Sequence, residues 1–359
     1  MGELRASTSN SLRITNKYKY TNYLYICRKF VFCSHFVDLA ENLYKKSQLE
    51  QKPTRDGYGE GLVDLGKKNK DVVVLGADLT GSTRCNWFKD EFPDRFIQVG
   101  IAEQNLIGIA AGLALVGKIP FASTYAVFCP GRNWDQIRIS VAYNKANVKL
   151  TGAHAGVSVG PDGATHQALE DIAITRCLPN MTVLAPCDAI ETKKATIAAG
   201  QMKGPVYLRF AREPTPVFTT KETPFQIGKA EIFRKGADAT IIACGPTVYK
   251  ALLVADDLEE DGFSIEVINN HTIKPIDKET IIEAAERTGA IVTAEDHQVM
   301  GGLGSAVAEV LAKDCPAPIE MIGVQDRFGE SGSPEELMKE FHLLADNIKE
   351  AVKKVVKRK

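Results

Sequence analysis

The chain has 359 residues, 44% of them hydrophobic and 25% charged, so it is long enough for two globular domains of ordinary size. Its formal net charge is -1, so it lacks the basic excess that is typical of nucleic-acid-binding proteins. No run of about 18 apolar residues occurs. We therefore expect neither a nucleic-acid partner nor a membrane span.

The eight cysteines are scattered singly along the sequence and form no C-x-x-C pair. Their positions are Cys27, Cys33, Cys85, Cys129, Cys177, Cys187, Cys244 and Cys315. This spacing indicates neither a zinc site nor a redox motif. A chain with ample core-forming residues does not need a disulfide framework, so we expect reduced thiols, no metal ligands and a cytoplasmic location.

Residues 1–50 differ from the rest, because they are rich in Lys, Arg, Ser and Tyr and poor in acidic residues. They contain no clear apolar core between a charged start and a small-residue cleavage site, which disfavours a secretory signal. The basic character is also found in organelle transit peptides. We favour a poorly ordered extension, or a start codon placed too far upstream.

From about residue 37, apolar runs bounded by turn residues alternate with helical patterns, which is typical of parallel, doubly wound sheets. The elements predicted for the first half are helical segments over 37–68 broken near Lys52 and Pro53, a strand over 71–78, a helix over 102–116, strands over 148–151, 182–185 and 206–209, and a helix over 189–200.

The stretch EPTPVFTTKETPF at 213–225 is rich in Pro and Thr and predicts a linker. Beyond it the predicted strands cover 239–245, 263–270, 289–296 and 318–324, and helices start at 248 and cover 278–287, 304–313 and 334–357. The fold class is therefore α/β, with two successive, mainly parallel-sheet domains over 51–215 and 227–359 joined by a linker at 216–226.

One acidic residue, Glu103, lies in the almost entirely apolar segment VGIAEQNLIGIAAGLALVG. A carboxylate is costly to bury unless another group binds its proton or its charge, which favours a functional role. The alternative is an exposed helix start, where the helix dipole stabilises an acidic side chain.

A glycine-rich loop, TGAHAGVSVGPDGATHQALED at 151–171, contains His154, Asp162 and His166. Loops that follow the carboxyl ends of parallel strands are where such sheets bind ligands, so these three residues form a candidate site. A single loop histidine is more often a surface residue. Metal ligation by this set is disfavoured, because the spacing matches no compact zinc pattern.

Two aromatic residues, Tyr125 and Phe128, lie three positions apart in STYAVFCPGR. They are either core residues or the walls of a flat apolar slot for an aromatic ring. The GGLG sequence at 301–304 lacks the spacing of a dinucleotide-binding motif, so we predict a tight strand-to-helix turn there.

Taken together, the segments GADLTGST, GIAEQNLIGIAAGLAL, ASTYAVF, GPDGATHQALEDIAI, LPNMTVLAPCD and AEDHQVMGGLG resemble the transketolase family of thiamine-diphosphate enzymes. The resemblance covers about residues 50–355 and implies a pyrimidine-binding domain followed by a transketolase C-terminal domain. By motif position, Glu103 would hydrogen-bond the aminopyrimidine ring of the cofactor, and Tyr125 and Phe128 would pack on that ring. A third family aromatic is not matched, because Gly131 stands near its position.

The resemblance also implies substrate-binding residues. His154, Asp162 and His166 would face the sugar, with Asp162 on a hydroxyl near the reacting carbon and the histidines on hydroxyls or phosphate, where they would assist proton transfer. The residues implied for the substrate phosphate are Arg55, Ser82 and Arg209, with Arg212 as the alternative to Arg209 because the LRFAR register is ambiguous.

The G-D-G…Asn segment that binds magnesium and the diphosphate in full-length transketolases is not found in this sequence. We therefore expect a separate N-terminal subunit to supply it and to hold most of the ligands of Mg²⁺ or Ca²⁺. The expected assembly is a dimer of heterodimers that transfers a two-carbon ketol unit between sugar phosphates, as in pentose phosphate metabolism.

Three alternatives stay open. The C-terminal part of a 1-deoxyxylulose-5-phosphate synthase shares the D-G-A-T-H-Q segment, but that enzyme is normally one long chain. The beta subunit of a 2-oxo acid dehydrogenase is a separate chain, but it generally lacks this loop. A non-catalytic homologue is disfavoured because Glu103, His154 and Asp162 are all present.

Overall fold

The computed structural model describes residues 37–359. The strands of the first half are β1 (Gln51–Pro53), β2 (Val72–Gly76), β3 (Phe96–Gln98), β4 (Ile119–Tyr125), β5 (Lys149–Ala153), β6 (Thr182–Leu184), β7 (Val206–Arg209) and β8 (Pro214–Pro216). Those of the second half are β9 (Glu231–Arg234), β10 (Ala239–Ala243), β11 (Ile265–Asn269), β12 (Thr272–Lys274), β13 (Ile291–Gln298) and β14 (Ile319–Val324).

The helices of the first half are α1 (Thr54–Lys68), α2 (Cys85–Glu91), α3 (Glu103–Leu115), α4 (Trp134–Gln136, continued as a π-helical segment over Ile137–Tyr143), α5 (Asp171–Arg176) and α6 (Ala189–Gln201). Those of the second half are α7 (Thr247–Glu260), α8 (Lys278–Thr288), α9 (Leu303–Asp314), α10 (Pro334–Glu340) and α11 (Ala345–Val356). Within residues 37–359, none of the helices is long and apolar enough to cross a membrane.

Two sheets organise the fold. The first has the order β12-β6-β7-β5-β4-β2-β3, and the second has the order β14-β13-β10-β11-β9. Every pairing in these two sheets is parallel except those of the edge strands β12 and β9. The predicted α/β class with two mainly parallel sheets is therefore confirmed.

The central strands form because their residues are apolar on both faces. All five positions of β2 (VVVLG) are buried, and so are all five of β10 (ATIIA), as expected when helices cover a parallel sheet on both sides. The predicted helices over 102–116 and 189–200 and the predicted strand over 206–209 are confirmed within a residue or two. The GGLG turn is confirmed as well, since α9 starts at Leu303.

Some predictions were wrong. Residues 37–50 are not helical beyond a 3₁₀ turn at Lys46–Gln48, and residue Leu39 bridges to Thr219. The helix predicted over 334–357 is two helices, because the chain turns at His342, where φ is 56°. The prediction of a poorly ordered extension falls mainly on residues 1–36, which lie outside the described residues.

The second half contributes to the first sheet. Strand β12 pairs antiparallel with β6 at the sheet edge, and the Ala185 amide donates to the His271 carbonyl at 2.8 Å. The small β1–β8 sheet pairs the segment before α1 with the segment after β7. The domain limits proposed from the sequence stay a prediction.

The carboxyl ends of β2, β4, β5 and β7 meet at one edge of the first sheet, because these strands are parallel. Each is followed by a loop that carries candidate residues: Ser82 after β2, Phe128 after β4, His154, Asp162 and His166 after β5, and Arg212 after β7. The topology thus brings segments that are far apart in sequence to one site.

Candidate active site

Glu103 is the first residue of α3, and only 2% of its surface is exposed. Nη1 of Arg132 donates to both of its carboxylate oxygens, at 3.0 Å each. Nδ2 of Asn133 donates to the Glu103 carbonyl oxygen at 3.1 Å. The alternative of a helix start was right about the position and wrong about the exposure, because the carboxylate is buried and paired.

The rings of Tyr125 and Phe128 are nearly parallel, with an angle of 15° between their planes and 6.1 Å between their centroids. Tyr125 ends β4, and Phe128 lies in the turn that follows. The guanidinium carbon of Arg132 lies 4.2 Å from the centre of the Phe128 ring. Arg132 therefore bridges Phe128 and the buried carboxylate of Glu103.

Sequence reasoning missed Arg132. Its only signal was a basic residue at the end of STYAVFCPGR, four positions after Phe128. Its backbone amide donates to the Phe128 carbonyl at 3.0 Å, so a local turn returns the side chain to the ring.

The loop after β5 packs on the aromatic pair. The His154 ring stacks on Tyr125 with centroids 4.0 Å apart, and the His166 ring meets Phe128 edge-on at 5.5 Å. His154 has a φ of 58°, a conformation that costs energy in a residue with a side chain. Asp162 is exposed and accepts a hydrogen bond of 3.3 Å from Nη1 of Arg212. The structure thus brings His154, His166 and the aromatic pair into direct contact.

His154 is neutral at physiological pH. Burial, followed by the nearby cations Arg55, Arg212 and Arg84, lowers its pKa from 6.5 to about 3. Its Nε2 lies 3.5 Å from Nη1 of Arg55, and its buried Nδ1 has no hydrogen-bond partner within residues 37–359. A buried nitrogen without a partner is unfavourable, so Nδ1 is available to a ligand.

Arginines surround this histidine. Nη1 of Arg55 donates to the Ser82 carbonyl at 3.1 Å, while its buried Nε has no partner in the described part of the chain. Burial, and then the charge of Arg84, lowers the pKa of Arg55. Nη1 of Arg212 also donates to the Val159 carbonyl at 3.2 Å. The cluster favours an anionic ligand.

Arg84 is a second residue that sequence reasoning missed. It precedes α2 with a φ of 64°, and its Nε donates to Oδ1 of Asp56 at 2.6 Å. Its signal was a basic residue in the loop after β2. Its charge contributes to the lowered pKa values of both Arg55 and His154.

Arg209 has a different set of partners. It is 6% exposed, its Nε donates to Oδ2 of Asp171 at 2.9 Å, and its Nη2 donates to the Asp296 carbonyl at 2.7 Å. Burial by itself would lower the pKa of Arg209, but the carboxylates of Asp171 and Asp296 raise it. The Tyr207 hydroxyl also donates to Asp171. Of the two candidate arginines, Arg212 is therefore the one on the side of the loop.

Within residues 37–359, no group of three or more His, Cys, Asp or Glu side chains is placed to hold a metal ion.

Comparison with known proteins decides the family. The family model for the transketolase pyrimidine-binding domain matches residues 50–217, and that for the transketolase C-terminal domain matches residues 228–348. The chain belongs to the transketolase family. The resemblance inferred from the sequence motifs is therefore confirmed.

Relatives of similar length are C-terminal parts or subunits of transketolases. A putative transketolase C-terminal section of Methanocaldococcus jannaschii is 47% identical over 86% of this chain and 97% of its own length. The 6-deoxy-6-sulfo-D-fructose transketolase subunit of a Clostridium species is 42% identical over 87% of this chain and 97% of its own length. Human transketolase is 38% identical over 84% of this chain, which spans 49% of the human protein.

Solved structures agree. A structure described as a split gene transketolase, inactive beta4 tetramer, matches with a TM-score of 0.80 and 47% identity, and covers 85% of this chain and 98% of its own. Transketolase from Campylobacter jejuni matches with a TM-score of 0.73 at 23% identity over 94% of this chain and 51% of its own. The second match shows the fold alone.

Proposed function

We propose that this chain is the pyrimidine-binding and C-terminal part of a thiamine-diphosphate-dependent transketolase, which transfers a two-carbon ketol unit between sugar phosphates together with a separate N-terminal subunit. One observation carries the proposal: Arg132 joins the buried Glu103 carboxylate to Phe128, and the Tyr125–Phe128 pair is packed against the His154–His166 loop. This arrangement supports a site in which a carboxylate and an aromatic surface act on the cofactor while the neighbouring loop binds the sugar.

The residues present fit the aminopyrimidine of the cofactor. The Arg132 guanidinium is planar, lies against Phe128 and donates to Glu103, so these two residues already bind a flat donor group. An aminopyrimidine ring is also flat and nitrogen-rich, and Glu103 would accept a hydrogen bond from it while Phe128 and Tyr125 pack on it. When bound, thiamine diphosphate supplies the electron sink for breaking and forming the carbon–carbon bond.

The loop residues would hold the sugar. Nδ1 of the neutral His154 would hydrogen-bond a hydroxyl, and Asp162 would accept a hydrogen bond from a hydroxyl near the reacting carbon. His166 lies edge-on to Phe128, where it would bind a hydroxyl and assist proton transfer. These three roles place the sugar between the loop and the aromatic pair.

The anionic end of the substrate would be bound by Arg55, Ser82 and Arg212, with Arg84 adding positive charge. The Nε of Arg55, which has no hydrogen-bond partner among residues 37–359, is available for this purpose. Two of the relatives are named for 6-deoxy-6-sulfo-D-fructose and apulose 4-phosphate, whose anionic groups are a sulfonate and a phosphate. Guanidinium groups bind both kinds of anion. The proposal therefore commits to an anionic sugar and not to one particular sugar.

A partner subunit is part of the proposal. Relatives that this chain covers over 97% of their length are named as a section or a subunit, whereas it spans 49% of human transketolase. Ile101, Leu115, Val116 and Tyr143 are large apolar residues that are 72–79% exposed on or next to α3 and α4. Ile101 lies just before Glu103 at the start of α3, so a partner that covers Ile101 would reach the cofactor site. Such a partner would hold Mg²⁺ and the diphosphate, in a cytoplasmic dimer of heterodimers.

The test is a ketol-transfer assay with xylulose 5-phosphate and ribose 5-phosphate, thiamine diphosphate and Mg²⁺. The chain is assayed alone and mixed with a candidate N-terminal transketolase subunit. We expect turnover in the mixture and none with the chain by itself. A cofactor-loaded complex that turns over pyruvate with glyceraldehyde 3-phosphate, or a 2-oxo acid, but no ketol donor would contradict the assigned reaction.

A further inference from the structure

The end of strand β13 reaches the substrate loop from the second half of the chain. The Asp296 carboxylate accepts hydrogen bonds from the Val157 amide at 2.9 Å and from the Ser158 hydroxyl at 2.8 Å. The Ser158 amide adds a third, longer contact at 3.4 Å. Asp296 is 7% exposed, so water does not replace these interactions easily.

These contacts fix the backbone between the candidate sugar ligands. Val157 and Ser158 begin the 3₁₀ turn Val157–Val159, which lies between His154 and Asp162. A carboxylate that accepts the first amides of a turn stabilises that turn, as at a helix start. His154 is held at a φ of 58°, and a strained residue keeps its conformation only when the structure around it enforces it. By fixing Val157 and Ser158, Asp296 helps to keep the backbone of His154 in this conformation.

Two glycines allow the close approach. A Cβ added at Gly156, whose φ is 89°, would overlap the Asp296 carboxylate, and one added at Gly163 would crowd the Ser331 hydroxyl. The second half of the chain therefore contacts the loop on either side of Asp162.

Gln167, near the end of the loop, hydrogen-bonds back to its beginning and to the second half of the chain. Its Nε2 donates to the carbonyl oxygens of Val157 at 3.3 Å, Gly160 at 3.2 Å and Glu330 at 2.9 Å. One side chain thus joins both ends of the loop to the segment before α10.

Arg209 holds Asp296 itself in place. Its Nη2 donates to the Asp296 carbonyl while its Nε pairs with Asp171, so a buried ion pair ties the end of β13 to β7 and α5. The Gln298 amide, two residues on, donates to the Leu169 carbonyl at 2.8 Å. The end of β13 (residues 295–298) is thus fixed by β7 and α5, and it in turn holds the loop at 151–171 in position.

We propose that Asp296 is a positioning residue for the sugar-binding loop, and that the second half of the chain sets the geometry of His154 and Asp162 in addition to any role in assembly. The role of Asp296 in sugar binding rests on the proposed function. Its role in holding the loop depends only on hydrogen bonds within this chain.

The test compares Asp296→Asn with Glu266→Gln. Both change one buried carboxylate of the second half to its amide, and the side-chain hydrogen bonds of Glu266 in β11 within residues 37–359 go to Arg287 and Thr240, outside the loop. The asparagine keeps the shape, but its amide group cannot accept from two N–H groups and a hydroxyl as the carboxylate does. Ser158→Ala removes one hydrogen bond from the loop side and serves if Asp296→Asn does not fold.

The first readout is amide hydrogen exchange of residues 154–168 in the full chain, which needs neither partner nor substrate. Asp296→Asn is expected to speed exchange there about tenfold or more, and Glu266→Gln to leave it unchanged. Equal exchange in the wild type and in Asp296→Asn overturns the proposal, whatever reaction the assembled protein carries out.

The second readout is kinetics of the assembled protein. Asp296→Asn is expected to lower kcat/KM for the sugar donor by about 10- to 100-fold while the affinity for thiamine diphosphate changes less than about twofold. If Glu266→Gln lowers kcat/KM as much, or if kcat/KM and the affinity for thiamine diphosphate fall together in Asp296→Asn, Asp296 acts through stability alone and the proposal is wrong. Wild-type protein without ketol transfer refutes the proposed function and leaves the exchange result to decide the role of Asp296.

Discussion

Arg132 donates hydrogen bonds to both carboxylate oxygens of Glu103, at 3.0 Å each. The same guanidinium lies against Phe128, so one cation contacts both groups that the proposed function assigns to the aminopyrimidine. Arg132 and the ring cannot occupy this place together. If the aminopyrimidine binds as the proposed function has it, cofactor binding moves Arg132 away from Glu103 and Phe128.

This leads to a prediction for Arg132→Ala in the assembled protein. Removing a side chain that competes with the cofactor is expected to tighten thiamine diphosphate binding by about 3- to 10-fold. Calorimetric titration with thiamine diphosphate and Mg²⁺ measures it. Arg358→Ala, which removes an exposed arginine that is also paired with a glutamate, Glu320, is the control. Binding that weakens by a factor of ten or more in Arg132→Ala would show that Arg132 assists the cofactor instead.

The two candidate phosphate-binding arginines are expected to behave in opposite ways. Arg212→Ala removes an accessible guanidinium beside the loop, so KM for a phosphorylated donor is expected to rise about tenfold or more, with unchanged unfolding in urea. Arg209→Ala leaves Asp171 buried without its ion pair and is expected to lower the free energy of unfolding by about 3–5 kcal/mol.

Urea unfolding and steady-state kinetics of both variants measure this difference. An Arg212→Ala protein with an unchanged KM for phosphorylated donors would remove Arg212 from the substrate site. A fully stable Arg209→Ala protein would refute the structural role of the ion pair.

The sequence predicted the parts of the fold that depend on local pattern. β2, α3 and β7 are apolar runs of the right length, and the structure confirms them. The helix predicted over residues 37–50 was wrong because Leu39, Leu43 and Leu49 pack onto the core of the second half from a segment of turns and one 3₁₀ turn, without an α-helix. The spacing of these leucines follows from their contacts with the core of the second half and not from a helix.

The candidate site divides in the same way. Glu103 and the histidines stand out in the sequence because their chemistry differs from that of their neighbours. The partners of these groups do not, since Asp296 lies 139 positions from Val157 and Asp171 lies 38 positions from Arg209. The sequence could not show that β7 ends with Arg209 in the interior while Arg212 lies beside the loop.

A pH dependence follows from His154. Its pKa in the folded chain is about 3, below the ordinary 6.5, because burial and nearby arginines disfavour the charged ring. Between these values the unfolded chain binds a proton that the folded chain does not, so stability falls as the pH decreases through this range. From pH 7 to pH 5 this group alone is expected to remove about 2 kcal/mol of unfolding free energy.

Urea unfolding at pH 7 and pH 5 measures the loss of unfolding free energy between these pH values. In His154→Asn the loss is expected to be smaller than in the wild type by about 2 kcal/mol. His342→Asn is the matched control, because its backbone has a φ of 56° against 58° for His154 and its side chain is exposed. Asparagine tolerates this backbone at both positions. Equal losses in the wild type and in His154→Asn would show that His154 titrates alike in the folded and unfolded chains.

The central claim is that Glu103 of this chain acts on a cofactor held together with a second subunit. Ketol transfer is measured for the chain alone, for its mixture with the N-terminal subunit, and for a mixture containing Glu103→Gln, which keeps the size of the side chain but cannot carry its charge. The account predicts turnover only in the wild-type mixture, with a loss of about 10²- to 10⁴-fold in Glu103→Gln. Turnover by the chain alone, or by the Glu103→Gln mixture at the wild-type rate, would contradict it.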